Sequence, residues 1–143
     1  VVDATMTSEE RAGLIRAFHK AHPMMYVQQM IDIPGRDLGL VFLGGEYLGT
    51  YARVAGDAAW NTTINSGGRY ADHRPSQDII DLAQRAQAPF ALDFTTVDVV
   101  ESADGPVVFE VSAFGGFRGA LEGAGIDAAS RYADYACARV RQR

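Results

Sequence analysis

Lysine is almost missing from this sequence: Lys20 stands alone beside twelve arginines, and with 18 acidic residues the formal net charge is −5. No basic tract exists, which disfavours a nucleic-acid partner, although an isolated arginine site stays open. Cysteine occurs once, as Cys137. A single thiol excludes an internal disulfide framework and fits a reducing, cytoplasmic compartment. No apolar run approaches the ~18 residues of a membrane span, and the start carries no signal-peptide pattern, so no membrane partner is expected. The initiating methionine is absent too. Val1-Val2 reads as the end of a strand whose first half lies elsewhere, and the expectation is a piece of a longer protein.

What is present suits one domain, since 143 residues that are 48% apolar can bury a real core. Thr7-Ser8-Glu9-Glu10 is a capping box, and Leu14, Ile15 and Phe18 predict a helix to about Lys20. His19 and His22 stand three apart without a third ligand nearby and read as helix-end histidines. Met25 to Ile31 reads as a strand interrupted by Gln28-Gln29. Asp37 opens the next strand, to Leu43; Gly44-Gly45 turns the chain, and Tyr47 to Val54 returns with Arg53 inside it. A charge there needs either a partner or an edge that faces solvent.

Gly56 to Tyr70 has no helical or strand period and is rich in Asn, Thr, Ser and Gly. Such a loop binds something or is plain surface; Gly67-Gly68 permits close backbone approach, and Trp60 anchors one end. Pro75-Ser76 caps a helix over Gln77 to Gln87. Phe114 to Gly119 reads as a glycine loop. Gly125-Ile126-Asp127 starts a last helix with Ile126, Tyr132, Ala133, Ala136 and Val140 as its apolar stripe, and Cys137 is expected buried on or beside it. The elements predict an α+β fold, an antiparallel sheet with packed helices.

The stretch from Phe94 to Gly119 is the centre of this design. Two valine-rich runs bracket Ala103-Asp104-Gly105, a hairpin signal that suits a three-residue loop placing Ser102 opposite Pro106. Counted back in that register, Asp98 faces Glu110 and Thr96 faces Ser112 on one side, with Val97, Val99, Val107, Phe109 and Val111 on the other. A two-residue turn would shift the register by one and separate the acids. Like charges directly opposite each other are destabilising, so a positive group belongs between them. Three uses fit: a glycosidase-type pair, a magnesium site completed by phosphate, or a structural pair neutralised by Arg118 or Arg53. Ser112 adds an oxygen on the same face and moves weight toward metal.

The order of these features resembles the C-terminal half of an ATP-grasp ligase, and over about residues 25 to 137 it is similar to the RimK-like α-glutamate ligases. By that resemblance residues 1–143 are the C-terminal portion of an ATP-grasp domain. It implies an ATP- and magnesium-dependent ligase that joins a carboxylate to an amine through an acyl phosphate, adding glutamate or another amino acid to a small-molecule or peptide acid. ATP is then co-substrate and two Mg2+ ions the cofactor, with Mn2+ a substitute. The resemblance assigns Asp98, Glu110 and Ser112 to the metals, and Arg53 with Glu110 to catalysis. It gives Gln28, Gln29, Met30, Ile31 and Asp37 to ATP, and Asn65, Gly67, Gly68 and Arg118 to the substrates. Departures from the family pattern are Ser112 for Asn, Gly115 for Pro, Gly39 for Arg and Gln29 for Glu. The family's phosphate-binding lysine and glycine-rich loop precede this half, and Lys20 matches neither. A non-catalytic nucleotide- or metal-binding module of the same fold is the alternative, and a homo-oligomer is compatible with either.

Overall fold

The structure is a computed structural model that describes residues 2–56 and 61–142, so the role expected of Trp60 lies outside the described residues. Two compact units divide the chain, Val1–Ile31 and Asp32–Arg143.

The first unit holds α1 (Ser8–Ala21). Its capping box is formed on both sides: the Thr7 hydroxyl accepts from the Glu10 N–H, and the Glu10 carboxylate accepts from the Thr7 N–H at 2.8 Å. His22 closes the helix by donating its N–H to the Phe18 carbonyl and lies with its ring 4.6 Å from that of Phe18. The strand expected over residues 25–31 is not formed; this segment has no regular structure. An apolar run becomes a strand only where a ladder takes up its backbone groups, and Tyr26 and Val27 are strongly exposed instead.

The second unit is a five-stranded antiparallel sheet in the order β3-β2-β1-β4-β5. Its strands are β1 (Arg36–Leu43), β2 (Glu46–Val54), β3 (Arg69–Asp72), β4 (Phe94–Ser102) and β5 (Gly105–Ser112). Gly44 and Gly45, both at positive φ, form the two-residue turn between β1 and β2 that glycine alone adopts freely. β3 begins inside what reads in sequence as the end of a loop, because Arg69 and Tyr70 find partners in Val54 and Arg53.

Strand alternation gives each face of the sheet its own core. Leu38, Leu40, Phe42, Ala52, Val97 and Val99 pack on one face with Ile79 and Ala83 of α2 (Gln77–Gln87). Ser76 stands at the N-cap of α2 but makes no side-chain capping bond. On the other face Val41, Tyr51 and Phe94 pack with Ala120 of α3 (Phe117–Ala124) and Ala128 of α4 (Ala128–Arg141). The expected glycine loop is therefore shorter than read: Phe117, Arg118 and Gly119 are already helical. Gly119 is there because the Tyr51 ring lies against it, and a Cβ would come within 2.5 Å of that ring.

Cys137 is exposed, not buried. α4 turns Ala128 and Tyr132 toward the sheet, and nine residues beyond Ala128 the helix has rotated by half a turn, which points Cys137 away. Val140 is exposed as well.

Candidate functional site

The hairpin brings the two acids together by a route other than the expected one. Ser102 pairs with Gly105, not Pro106, so the turn has two residues, Ala103 and Asp104, closed by the Ser102 hydroxyl donating to the Gly105 carbonyl at 2.7 Å. In that register Val99 pairs with Val108, and a continued ladder would set Asp98 against Phe109. The ladder shifts between Val99 and Asp98 instead: Phe109 is left without a partner and Asp98 pairs with Glu110, then Val97 with Val111 and Thr96 with Ser112. A β-bulge, one extra residue on one strand, undoes the shift that the shorter turn introduces. It also exchanges residues between faces. Val108, not Val107, packs against the α2 core, and Phe109 is half exposed.

The face that carries Asp98 and Glu110 also carries Asp37 and Arg53. Asp37 pairs with Arg53 across β1 and β2, while Gly39 lies between Tyr51 on one side and Asp98 on the other. Arg53 bridges the two buried acids. Its Nε donates to Asp37 Oδ2 at 2.9 Å, and Nη2 contacts the same oxygen and also Asp98 Oδ2 at 2.7 Å. Arg53 is thus not an edge residue reaching into solvent, although its side chain stays 22% exposed. It is the positive group that the facing acids require.

Burial sets the electrostatics here. Asp98 is only 5% exposed, and loss of solvation pushes its pKa up to about 6, with Arg53 opposing the rise and Asp37 and Glu110 adding to it. For Arg53 burial works against the charge, but the bonds and charges of Asp37 and Asp98 outweigh it and raise its pKa. Tyr51 is pushed up to about 12, first by burial and then by Asp98. Its ring lies across Gly39, and any side chain at position 39 would strike it. Sequence reasoning missed Tyr51. The signal was available as glycines at 39, 119 and 123 with no turn to explain them.

Glu110 is exposed, and the Ser112 hydroxyl donates to its Oε1 at 2.7 Å. The Thr95 hydroxyl holds the Ser112 carbonyl. Gly115 then crosses over Thr95 and Thr96 so closely that a Cβ would collide with the Thr96 hydroxyl. Phe114 pins this crossing by packing on Phe94, Phe117 and Tyr132 with ring centroids 5.4, 5.5 and 5.6 Å away.

Within the second unit, Asn65, Gly67, Gly68 and Arg118 make no hydrogen bond or ion pair to this cluster among the described residues. Asn65 and Gly67 are exposed, and Gly67 ends the 3-10 turn Ile64–Ser66 at positive φ. The close approach allowed by Gly68 is used by its own loop, whose Thr62 carbonyl lies where a side chain would be. Arg118 pairs with Glu122 at 2.8 Å and lies 5.9 Å over the Tyr70 ring. Gln28, Gln29, Met30 and Ile31 belong to the irregular segment of the first unit.

No three of His, Cys, Asp and Glu converge as a metal cluster among the described residues. Magnesium, however, takes one or two protein carboxylates and completes its shell from phosphate and water. Asp98 and Glu110 supply that number, and among the described residues Asp98 Oδ1 and Asp37 Oδ1 are buried without a hydrogen-bond partner. Buried acceptors left free are uncommon, so the residues fit a cation. Among the described residues no helix is long and apolar enough to cross a membrane.

Known proteins support the same comparison of fold. The model of the RimK-like ATP-grasp domain matches residues 4–136. The chain is 28% identical over 130 residues to a probable alpha-L-glutamate ligase of Maridesulfovibrio salexigens, covering 90% of this chain and 43% of that protein. It is 27% identical over 126 residues to the ribosomal protein bS6--L-glutamate ligase of Escherichia fergusonii, covering 87% and 42%. The chain therefore spans less than half the length of these relatives. Among solved structures, the macrocyclase MdnB from Microcystis aeruginosa is similar over 92% of this chain and 46% of its own, with TM-score 0.55 and 18% identity. The ATP-grasp ligase PsnB, solved with a precursor variant, Mg and ADP, is similar over 68% and 30%, with TM-score 0.52 and 19% identity.

Proposed function

The chain belongs to the RimK-like ATP-grasp family, and from that premise we propose that the protein is an ATP- and magnesium-dependent carboxylate–amine ligase of the cytoplasm. Residues 1–143 are then the C-terminal portion of its ATP-grasp domain. The observation that carries the reading is the pairing of Asp98 with Glu110, and of Thr96 with Ser112, on the face where Arg53 bridges Asp37 and Asp98.

Bound between the acids, one or two magnesium ions, or manganese in their place, would neutralise oxygens of the β- and γ-phosphates. Asp98 and Glu110 would hold them, and Ser112 orients Glu110 through its hydrogen bond. Arg53 directs a guanidinium at the phosphoryl group in transfer, where charge builds up in the transition state. Asp37 keeps Oδ1 as a free acceptor for a ribose hydroxyl. The family resemblance would further give Gln28 to Ile31 to the adenine, and Asn65, Gly67, Gly68 and Arg118 to the acid and the amino acid. A carboxylate oxygen of the acceptor attacks the γ-phosphorus, the bond to the bridging oxygen breaks and ADP leaves. The amine attacks the acyl carbon, and phosphate departs with the carboxylate oxygen. Glutamate is the amino acid named for the relatives, and a small-molecule or peptide acid is the acceptor class.

Isotope transfer tests this route. An acceptor labelled with oxygen-18 in its carboxylate should pass one label per turnover into inorganic phosphate. Unlabelled phosphate would reject the acyl phosphate. A second reading, a binding module without turnover, is favoured by the Tyr51 ring over Gly39; it predicts ATP binding with no ADP release.

A further inference from the structure

Asp98 already has a positive partner, since Nη2 of Arg53 lies 2.7 Å from its Oδ2. The two anchors of that guanidinium are unequal. Asp37 takes both Nε and Nη2 on one oxygen, whereas Asp98 takes Nη2 alone. Loss of the Asp98 contact would leave Arg53 still fastened through Nε. Asp37 is also the more deeply buried of the two acids, at 2% exposure, and sits directly opposite Arg53 on the neighbouring strand. Asp98 instead faces the exposed Glu110. With both acids keeping one oxygen free of any hydrogen bond among the described residues, Asp37, Asp98, Glu110 and Arg53 together leave two negative charges uncompensated, the charge of one divalent cation.

Taking from the ligase reading only that a divalent cation enters between Asp98 and Glu110, we infer that Arg53 is an internal counter-ion which that cation displaces from Asp98. The guanidinium pivots about its Asp37 anchor, and the freed Nη2 presents its N–H groups to an anion. Arg53 thus holds the acids together while the site is without its cation and becomes an anion ligand once the cation arrives. Because linkage is reciprocal, cation and phosphate then strengthen each other's binding. An arginine that was merely structural would keep both acids in either state.

Mn2+ binding to the full-length protein, followed by loss of the free-ion EPR signal, tests the displacement. Arg53→Gln removes the competitor but adds net negative charge to a buried cluster. The double variant Asp37→Asn/Arg53→Gln removes it at unchanged net charge and guards against a misfolded single variant. Displacement predicts that the double variant binds Mn2+ about tenfold more tightly than the wild type, because the like charge lost from direct contact with Asp98 outweighs the attraction lost with the Asp37 carboxylate one strand further away. Equal or weaker binding by a folded double variant would overturn the proposal, because Arg53 would then be supporting the acids rather than competing for them. Asp98→Asn separates the two levels. If it leaves Mn2+ affinity unchanged, the acid pair is no cation site and the ligase reading loses its metal centre; if it weakens binding, that reading stands whatever Arg53 does.

Discussion

Asp98 lies directly opposite Glu110 only because the residue before Glu110, Phe109, has no partner on the neighbouring strand. The two-residue turn and the bulge are separate departures from a regular three-residue hairpin, and their effects on the acid pair cancel. Disulfide trapping checks this pairing. In a Cys137→Ser background, Asp98→Cys/Glu110→Cys should cross-link under mild oxidation, since cross-strand partners on one face bring their Cβ atoms within reach. Val97→Cys/Glu110→Cys should not. The reverse result would mean that the bulge is absent and the acids are on opposite faces.

Gly39 and Tyr51 form a second dependent pair. Tyr51 is buried at 4% exposure, and a Cβ at position 39 would overlap its ring. Gly39→Ala should therefore cost about 1–3 kcal/mol in chemical denaturation, the range for overpacking a filled core. In a Tyr51→Ala background the same change should cost less than about 0.5 kcal/mol, because the clash is gone. Equal costs in both backgrounds would show that the ring is not what excludes a side chain at 39.

The raised pKa of Asp98 has a definite sign in stability. Its folded value of about 6 stands above the ordinary carboxylate value of 3.8 because burial disfavours the charged form. The folded state then binds the proton more tightly than the unfolded chain does. The resulting stabilisation is complete below about pH 4 and is lost as pH rises through about 6, a contribution of at most about 3 kcal/mol. Relative to Asp98→Asn, the wild type should lose stability between those limits when urea denaturation is followed against pH. A flat difference would place Asp98 in a solvated environment.

Much of this was legible in the sequence, and what was not has a common cause. The Thr7 capping box, the Gly44-Gly45 turn and the helix over Gln77–Gln87 are local features whose chemistry is complete within a few residues. The facing acids were legible as well, though by a register that the structure reaches differently. Residues 25–31 look like a strand by composition, but a strand depends on a ladder that composition does not reveal. The partners of Arg53 come from β1 and β4, far apart in the chain, and no spacing rule identifies them. Cys137 reads as buried from its apolar character, which carries no orientation, whereas the rotation of α4 from Ala128 decides it.

The central claim is that Asp98 and Glu110 serve ATP-dependent ligation, and ADP release by the full-length protein tests it most directly. With ATP, Mg2+, glutamate and a panel of carboxylic-acid acceptors, ADP should appear only when both acid and amine are present. Glu110→Gln should lower that rate by at least ~100-fold, as removal of other electrostatic stabilisers does, while Cys137→Ser stays within a few-fold of the wild type. ADP release that persists at the wild-type rate in Glu110→Gln would contradict the account.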